Sequence, residues 1–144
     1  MFESLNFVKV YKKVDKCCLG KGVCNHCKGN ECLVGFSKNI IINAMENDEF
    51  YVDDGVDKIP TYDLKGYEKE DVIEAVGQIL KQCKNCKLYH DEECIVNVTR
   101  SALEHILTGD NFEYKGSAFV YLNDIKNVDP ELGDALFKTY MKEN

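Results

Sequence analysis

A chain of 144 residues, 44% hydrophobic and 30% charged, is long enough to bury about 70% of its unfolded-chain surface in one domain, so a core does not depend on disulfides or metals. Its net charge of −7, with Arg100 as the single arginine among 18 basic residues, argues against a nucleic-acid partner, which wants forked guanidinium groups on a concentrated basic face. No run approaches the ~20 apolar residues of a membrane span, and the opening MFESLNFVKVYKK lacks the basic-then-apolar order of a secretory signal. The expectation is a cytoplasmic protein with no membrane partner.

Residues 5–11, LNFVKVY, mix alternation with β-branched and aromatic side chains and read as a short N-terminal strand. Residues 15–32, DKCCLGKGVCNHCKGNEC, hold five cysteines and three glycines without helical or strand period, and read as a loop that needs something to organise it. Leu33, Phe36, Ile40, Ile41, Ala44 and Met45 then recur at helical spacing. The acidic stretch FYVDDGVDKIP suggests a hairpin about Asp54-Gly55. Val72, Ile73, Val76, Ile79, Leu80 and Cys83 make the clearest helical stripe, with Glu68, Glu70 and Asp71 at its N-terminal end, where peptide dipoles favour acids.

A further helix is predicted from about Glu92 to Thr108, stopped by Gly109. A shorter one is capped by Ser117, and a last one opens at Asp129-Pro130 and runs to about Lys142. The fold expected is mainly α, with about five helices, a short N-terminal strand and a cysteine-rich loop, in a single domain over 1–144.

The eight cysteines fall in two groups. In a reducing cytosol, closely spaced sulfur is more often metal-binding or catalytic than disulfide-bonded. In KQCKNCKLYHDEEC, Cys83, Cys86, His90 and Cys94 stand at i, i+3, i+7 and i+11. On one unbroken helix the outer two would be ~16 Å apart, beyond the reach of one ion with bonds of ~2.0–2.3 Å. The charges break the helix instead: Lys81, Lys84 and Lys87 suit a helix C-terminus, and Asp91, Glu92 and Glu93 suit the first turn of the next, with Asp91 as a fair N-cap. A helix–corner–helix over 68–109, turning near 87–90, would fold three sulfurs and one nitrogen around one zinc. The bland alternative, buried cysteines acting as small hydrophobes, fits poorly beside so many charges.

In the first group Cys24-x-x-Cys27 has the form of a chelating knuckle, whose backbone N–H groups can hold thiolates. Cys24, Cys27, Cys32 and one of Cys17 or Cys18 would complete a metal site in the loop 17–32. One thiol is left over and could join the second group in place of His90. His26 reads as solvated or as a neighbour of the ligands, and His105 as a surface residue. The units CNHCKGN and CCLGKG resemble the cysteine-glycine units of the DnaJ-type zinc module over fewer than twenty residues. The first lacks its C-x-x-C, so the resemblance assigns no ligands.

The function expected is a non-catalytic metal-binding protein with zinc, up to two ions, in structural sites that support binding of a protein partner. An iron–sulfur protein for electron transfer or cluster delivery is the alternative, although neither segment has the C-x2-C-x2-C spacing common to such clusters. A thioredoxin-like dithiol oxidoreductase comes third. CNHC and the Ile59-Pro60-Thr61 segment suit it, but the charged stretch after Pro60 suits no central strand.

Overall fold

The computed structural model describes residues 7–19, 29–63, 66–85, 93–109, 114 and 117–142. Six α-helices are found there: α1 Phe7–Lys16, α2 Leu33–Asn47, α3 Lys69–Asn85, α4 Ile95–Thr108, α5 Ala118–Val128 and α6 Pro130–Met141. Two short 3-10 turns, Gly29–Glu31 and Gly55–Lys58, stand before α2 and between α2 and α3. The mainly helical class is as expected. No strand occurs among the described residues, only one isolated antiparallel bridge between Tyr51 and Cys94.

The N-terminal strand read over 5–11 is therefore corrected: residues 7–16 are helical. Phe7, Val10, Tyr11 and Val14 lie at i, i+3, i+4 and i+7. Val10 and Val14 are buried, and Phe7 and Tyr11 pack against the same core. Lys9, Lys12, Lys13 and Lys16 take the other side, and Lys13 and Lys16 fall in the last turn, where the helix dipole favours cations. Seven residues are too few to expose this period, and packing outweighs the β-propensity of the two valines. The hairpin about Asp54-Gly55 is corrected as well. Asp54 is left-handed at φ 53° and leads into the 3-10 turn, while the chain before it pairs with the start of α4.

α3 is the central helix and packs against α1, α4 and α6, while α2 lies across α1 and α4. Ion pairs Lys13–Glu74 at 3.0 Å and Lys16–Asp71 at 3.7 Å bring the end of α1 to the start of α3, so these two helices run antiparallel. The principal core joins Val10 and Val14 of α1, Val72, Val76, Ile79 and Leu80 of α3, Leu103 of α4, and Tyr121, Ile125, Leu132 and Leu136 of α5 and α6. Leu33, Phe36, Ile59, Val98 and Ala102 form a smaller one between α2 and α4.

The caps expected at the later helices are present. Ser117 Oγ accepts from Val120 N at 3.4 Å, Asp129 Oδ1 accepts from Leu132 N at 3.1 Å, and Gly109 closes α4 at φ 73°. Among the described residues no helix is long and apolar enough to cross a membrane.

Candidate functional site

The described cysteines of the first group, Cys17, Cys18 and Cys32, lie where α1 ends and α2 begins, and the end of α1 lies beside the start of α3. The chain continues past α1 through Cys17 N–H to Val14 O at 2.9 Å and Cys18 N–H to Asp15 O at 3.0 Å. That turn drives Cys17 inward. It is 2% exposed, belongs to the principal core, and its thiol donates to the Lys13 carbonyl at 3.5 Å. Burial first, and then the nearby Asp71 charge, push its pKa up to about 12. Cys18 is exposed. Of the two adjacent thiols, the structure thus presents Cys18 outward and uses Cys17 as a core residue.

Lys38 of α2 reaches Asp15 of α1 at 2.7 Å, bringing the start of α2 to the same end. Cys32 is the N-cap of α2, in extended conformation, and its Sγ accepts from Gly35 N at 3.4 Å. The turn Gly29–Glu31 lies so close on this helix that a Cβ at Gly35 would stand 2.4 Å from the Gly29 carbonyl oxygen. Gly35 is required for that approach, and Gly29 has a positive φ of 57°.

A hydrogen-bonded ring surrounds the sulfur. Cys32 Sγ is 2.8 Å from Tyr67 Oη, Tyr67 donates to Asp63 Oδ2 at 2.5 Å, and the same oxygen accepts from Leu33 N at 2.8 Å. Asp63 therefore holds an N–H of the first turn of α2 from a distant segment. Burial, and then the bond to Asp63, push the Tyr67 phenol far above its ordinary value. Cys24, Cys27 and His26 lie outside the described residues.

Of the second group, Cys83 and Cys94 are among the described residues, at the end of α3 and the start of α4. Cys83 is in the last turn of α3; Cys86, His90 and the expected cap Asp91 lie outside the described residues. Helix α4 begins at Ile95 rather than Glu92, and the N-cap position is held by Cys94. Val52 N donates to Glu93 O at 2.8 Å and Ile95 N to Phe50 O at 3.0 Å, which makes Tyr51 and Cys94 the close, non-hydrogen-bonded pair of a small antiparallel contact. Glu93 Oε2 adds a bond from Asp54 N at 2.7 Å. The backbone of Cys94 is thereby fastened to the segment 50–54.

From Asp71, beside Cys17, to Cys83 the rise along α3 is ~18 Å. Cys17 and Cys18 therefore cannot share an ion with Cys83. Among the described residues no three His, Cys, Asp or Glu side chains gather closely enough to hold a metal ion.

Three features escaped the sequence. Tyr67 and Asp63 meet Cys32 only through the tertiary fold, and no local period announces them. His105, read as a surface residue, is half-buried, and its Nδ1 has no hydrogen-bond partner. Arg100 and Glu104 form a buried ion pair at 3.0 Å, with Arg100 also donating to Asn97 Oδ1 at 3.0 Å. That pair had a signal: Val96, Leu103 and Leu107 stand at i−4, i+3 and i+7 from Arg100, so a charge on their face turns inward with its i+4 partner. No protein-family model, curated protein or solved structure matches the chain.

Proposed function

We propose that this protein is a non-catalytic metal-binding protein whose two cysteine-rich sites hold zinc and fix the ends of its helices for a protein partner. The observation that carries the reading is placement. Of the proposed ligands, Cys18, Cys32, Cys83 and Cys94 each lie within two residues of a helix end. Cysteines serving only as small hydrophobes have no reason to avoid helix interiors. At helix ends the backbone turns, and sulfurs from different elements can converge on one ion.

In this reading Cys18, Cys24, Cys27 and Cys32 hold one zinc, and Cys83, Cys86, His90 and Cys94 hold the other. The exposure of Cys18 and the burial of Cys17 favour Cys18 as the fourth ligand of the first site. Four protein ligands close a zinc ion to substrate, which suits a structural role and leaves no open position for catalysis.

Metal analysis of protein purified without oxygen tests the assignment. About two zinc ions per colourless chain are expected, with Cys18→Ser and Cys94→Ser each losing one and Cys17→Ser losing none. Brown protein carrying iron and acid-labile sulfide would replace zinc by the iron–sulfur reading. Metal-free protein with unchanged folding would remove both.

A further inference from the structure

Along one edge, α1 and α3 are joined by matched charges: Lys16 meets Asp71 at 3.7 Å and Lys13 meets Glu74 at 3.0 Å. The next level breaks the pattern. Lys9 stands one turn before Lys13 on the same face of α1, and the corresponding turns of α3 carry Gln78 and Lys81 instead of a carboxylate. Lys81 Nζ donates to the carbonyl of Lys142, which brings the end of α6 to the same place. Lys9 and Lys142 are exposed, and Lys13 and Lys81 are half-buried. Among the described residues no carboxylate pairs with Lys81 or Lys142. Burial, and then the charges of Lys9, Lys142 and Lys13, hold the Lys81 ammonium below its ordinary value. Like charges are thus gathered from α1, α3 and the end of α6 on a chain of net charge −7, at a cost that anions between them would remove.

We infer that Lys9, Lys81 and Lys142 form a docking site for a short acidic segment of a partner protein, with carboxylates about one helical turn apart. Charge complementarity selects this occupant. A nucleic-acid strand or an anionic membrane extends past the lysines and meets the acids of the rest of the chain. A short segment stays within about one Debye length, ~8 Å, of the positive group. The single guanidinium, Arg100, is buried, so forked recognition of phosphate is not offered here. The site uses no cysteine and stands independently of the metal reading.

The test measures binding of a fluorescent hexaglutamate peptide to the full chain by anisotropy, with hexaglutamine as the blank. Saturable binding of the first and none of the second is expected. Lys81→Gln and Lys142→Gln should each weaken it about two- to fivefold. Lys81→Gln also removes the bond to the Lys142 carbonyl, whereas Lys142→Gln leaves every described bond in place and decides the matter if the first variant loosens the fold. Lys126→Gln, whose lysine pairs with Asp134 at 3.1 Å on the α5–α6 hairpin, should bind as the parent does. No binding by the parent, or equal weakening in Lys126→Gln, would overturn the site. A single-stranded oligonucleotide of equal charge, or phosphatidylserine vesicles, binding more tightly than the peptide would overturn the choice of a protein segment. Self-association of the parent that Lys142→Gln abolishes would put a second copy of the chain in the partner's place.

Discussion

The single arginine of the chain is buried, only 3% exposed. The Arg100 guanidinium lies 4.9 Å from the centres of both the Tyr114 and Tyr121 rings, bonded to Glu104 and Asn97. Breaking a buried pair is more costly than never having had one, since the surviving charge stays desolvated. Arg100→Met is therefore expected to destabilise the fold by about 3–5 kcal/mol, whereas Arg100→Met with Glu104→Leu should cost clearly less. Chemical denaturation of the two variants measures the difference. Tyr121 beside them is 1% exposed, and its hydroxyl has no hydrogen-bond partner. Tyr121→Phe is accordingly expected to be neutral or stabilising by up to about 1 kcal/mol. It also changes the alkaline limb. Burial pushes this phenol above its ordinary value, so the folded chain keeps a proton that the unfolded chain loses above pH ~10. More protons bound in the folded state means stability falls as pH rises. Tyr121→Phe should remove part of that fall, visible in denaturant midpoints at increasing pH.

At the scale of elements, the helices with whole apolar stripes were legible. The stripes at 33–45 and 72–83 became α2 and α3, and the caps Ser117, Asp129-Pro130 and Gly109 stand where local chemistry put them. α1 was misread because its few apolar residues are β-branched or aromatic, and only its burial against α3 decides the matter. Of the candidate site, the residue types and their separation into two groups could be read directly. The sorting of Cys17 from Cys18 could not, because it follows from the helical turn that continues α1 and sets Cys17 on the buried stripe of Val10 and Val14, and residues 5–11 read as a strand hid that stripe. Nor could the sequence explain Gly77, which looks merely tolerated within α3. A Cβ there would stand 2.3 Å from Thr139 Cγ2, so the glycine is what lets α6 lie against α3. Gly77→Ala, which would favour an isolated helix, is expected to destabilise the protein by about 1–3 kcal/mol through overpacking. A raised denaturant midpoint in that variant would count against so close a contact.

For the whole molecule, the consequence of the architecture is independence of its two ends. α3 carries Asp71 and Glu74 against α1 at one end and Cys83 at the other. Cys32 caps the start of α2, where Lys38 reaches Asp15 of α1, and Cys94 stands at the start of α4 against the segment 50–54. Groups this far apart, with no ligand in common, should act additively to within a few tenths of a kcal/mol. Cys32→Ser and Cys94→Ser are each expected to remove one metal equivalent without changing the affinity of the other, and their effects on unfolding free energy should sum in the double variant. The separate losses should be well below the ~10–16 kcal/mol of a zinc finger that folds only with its metal, because two apolar cores already join these helices. Metal titration of the three variants, followed by denaturation with and without chelator, decides the matter. If losing one site also empties the other, some thiol must pass between the ends, and the assignment of Cys18 and Cys32 to one ion would have to be redrawn.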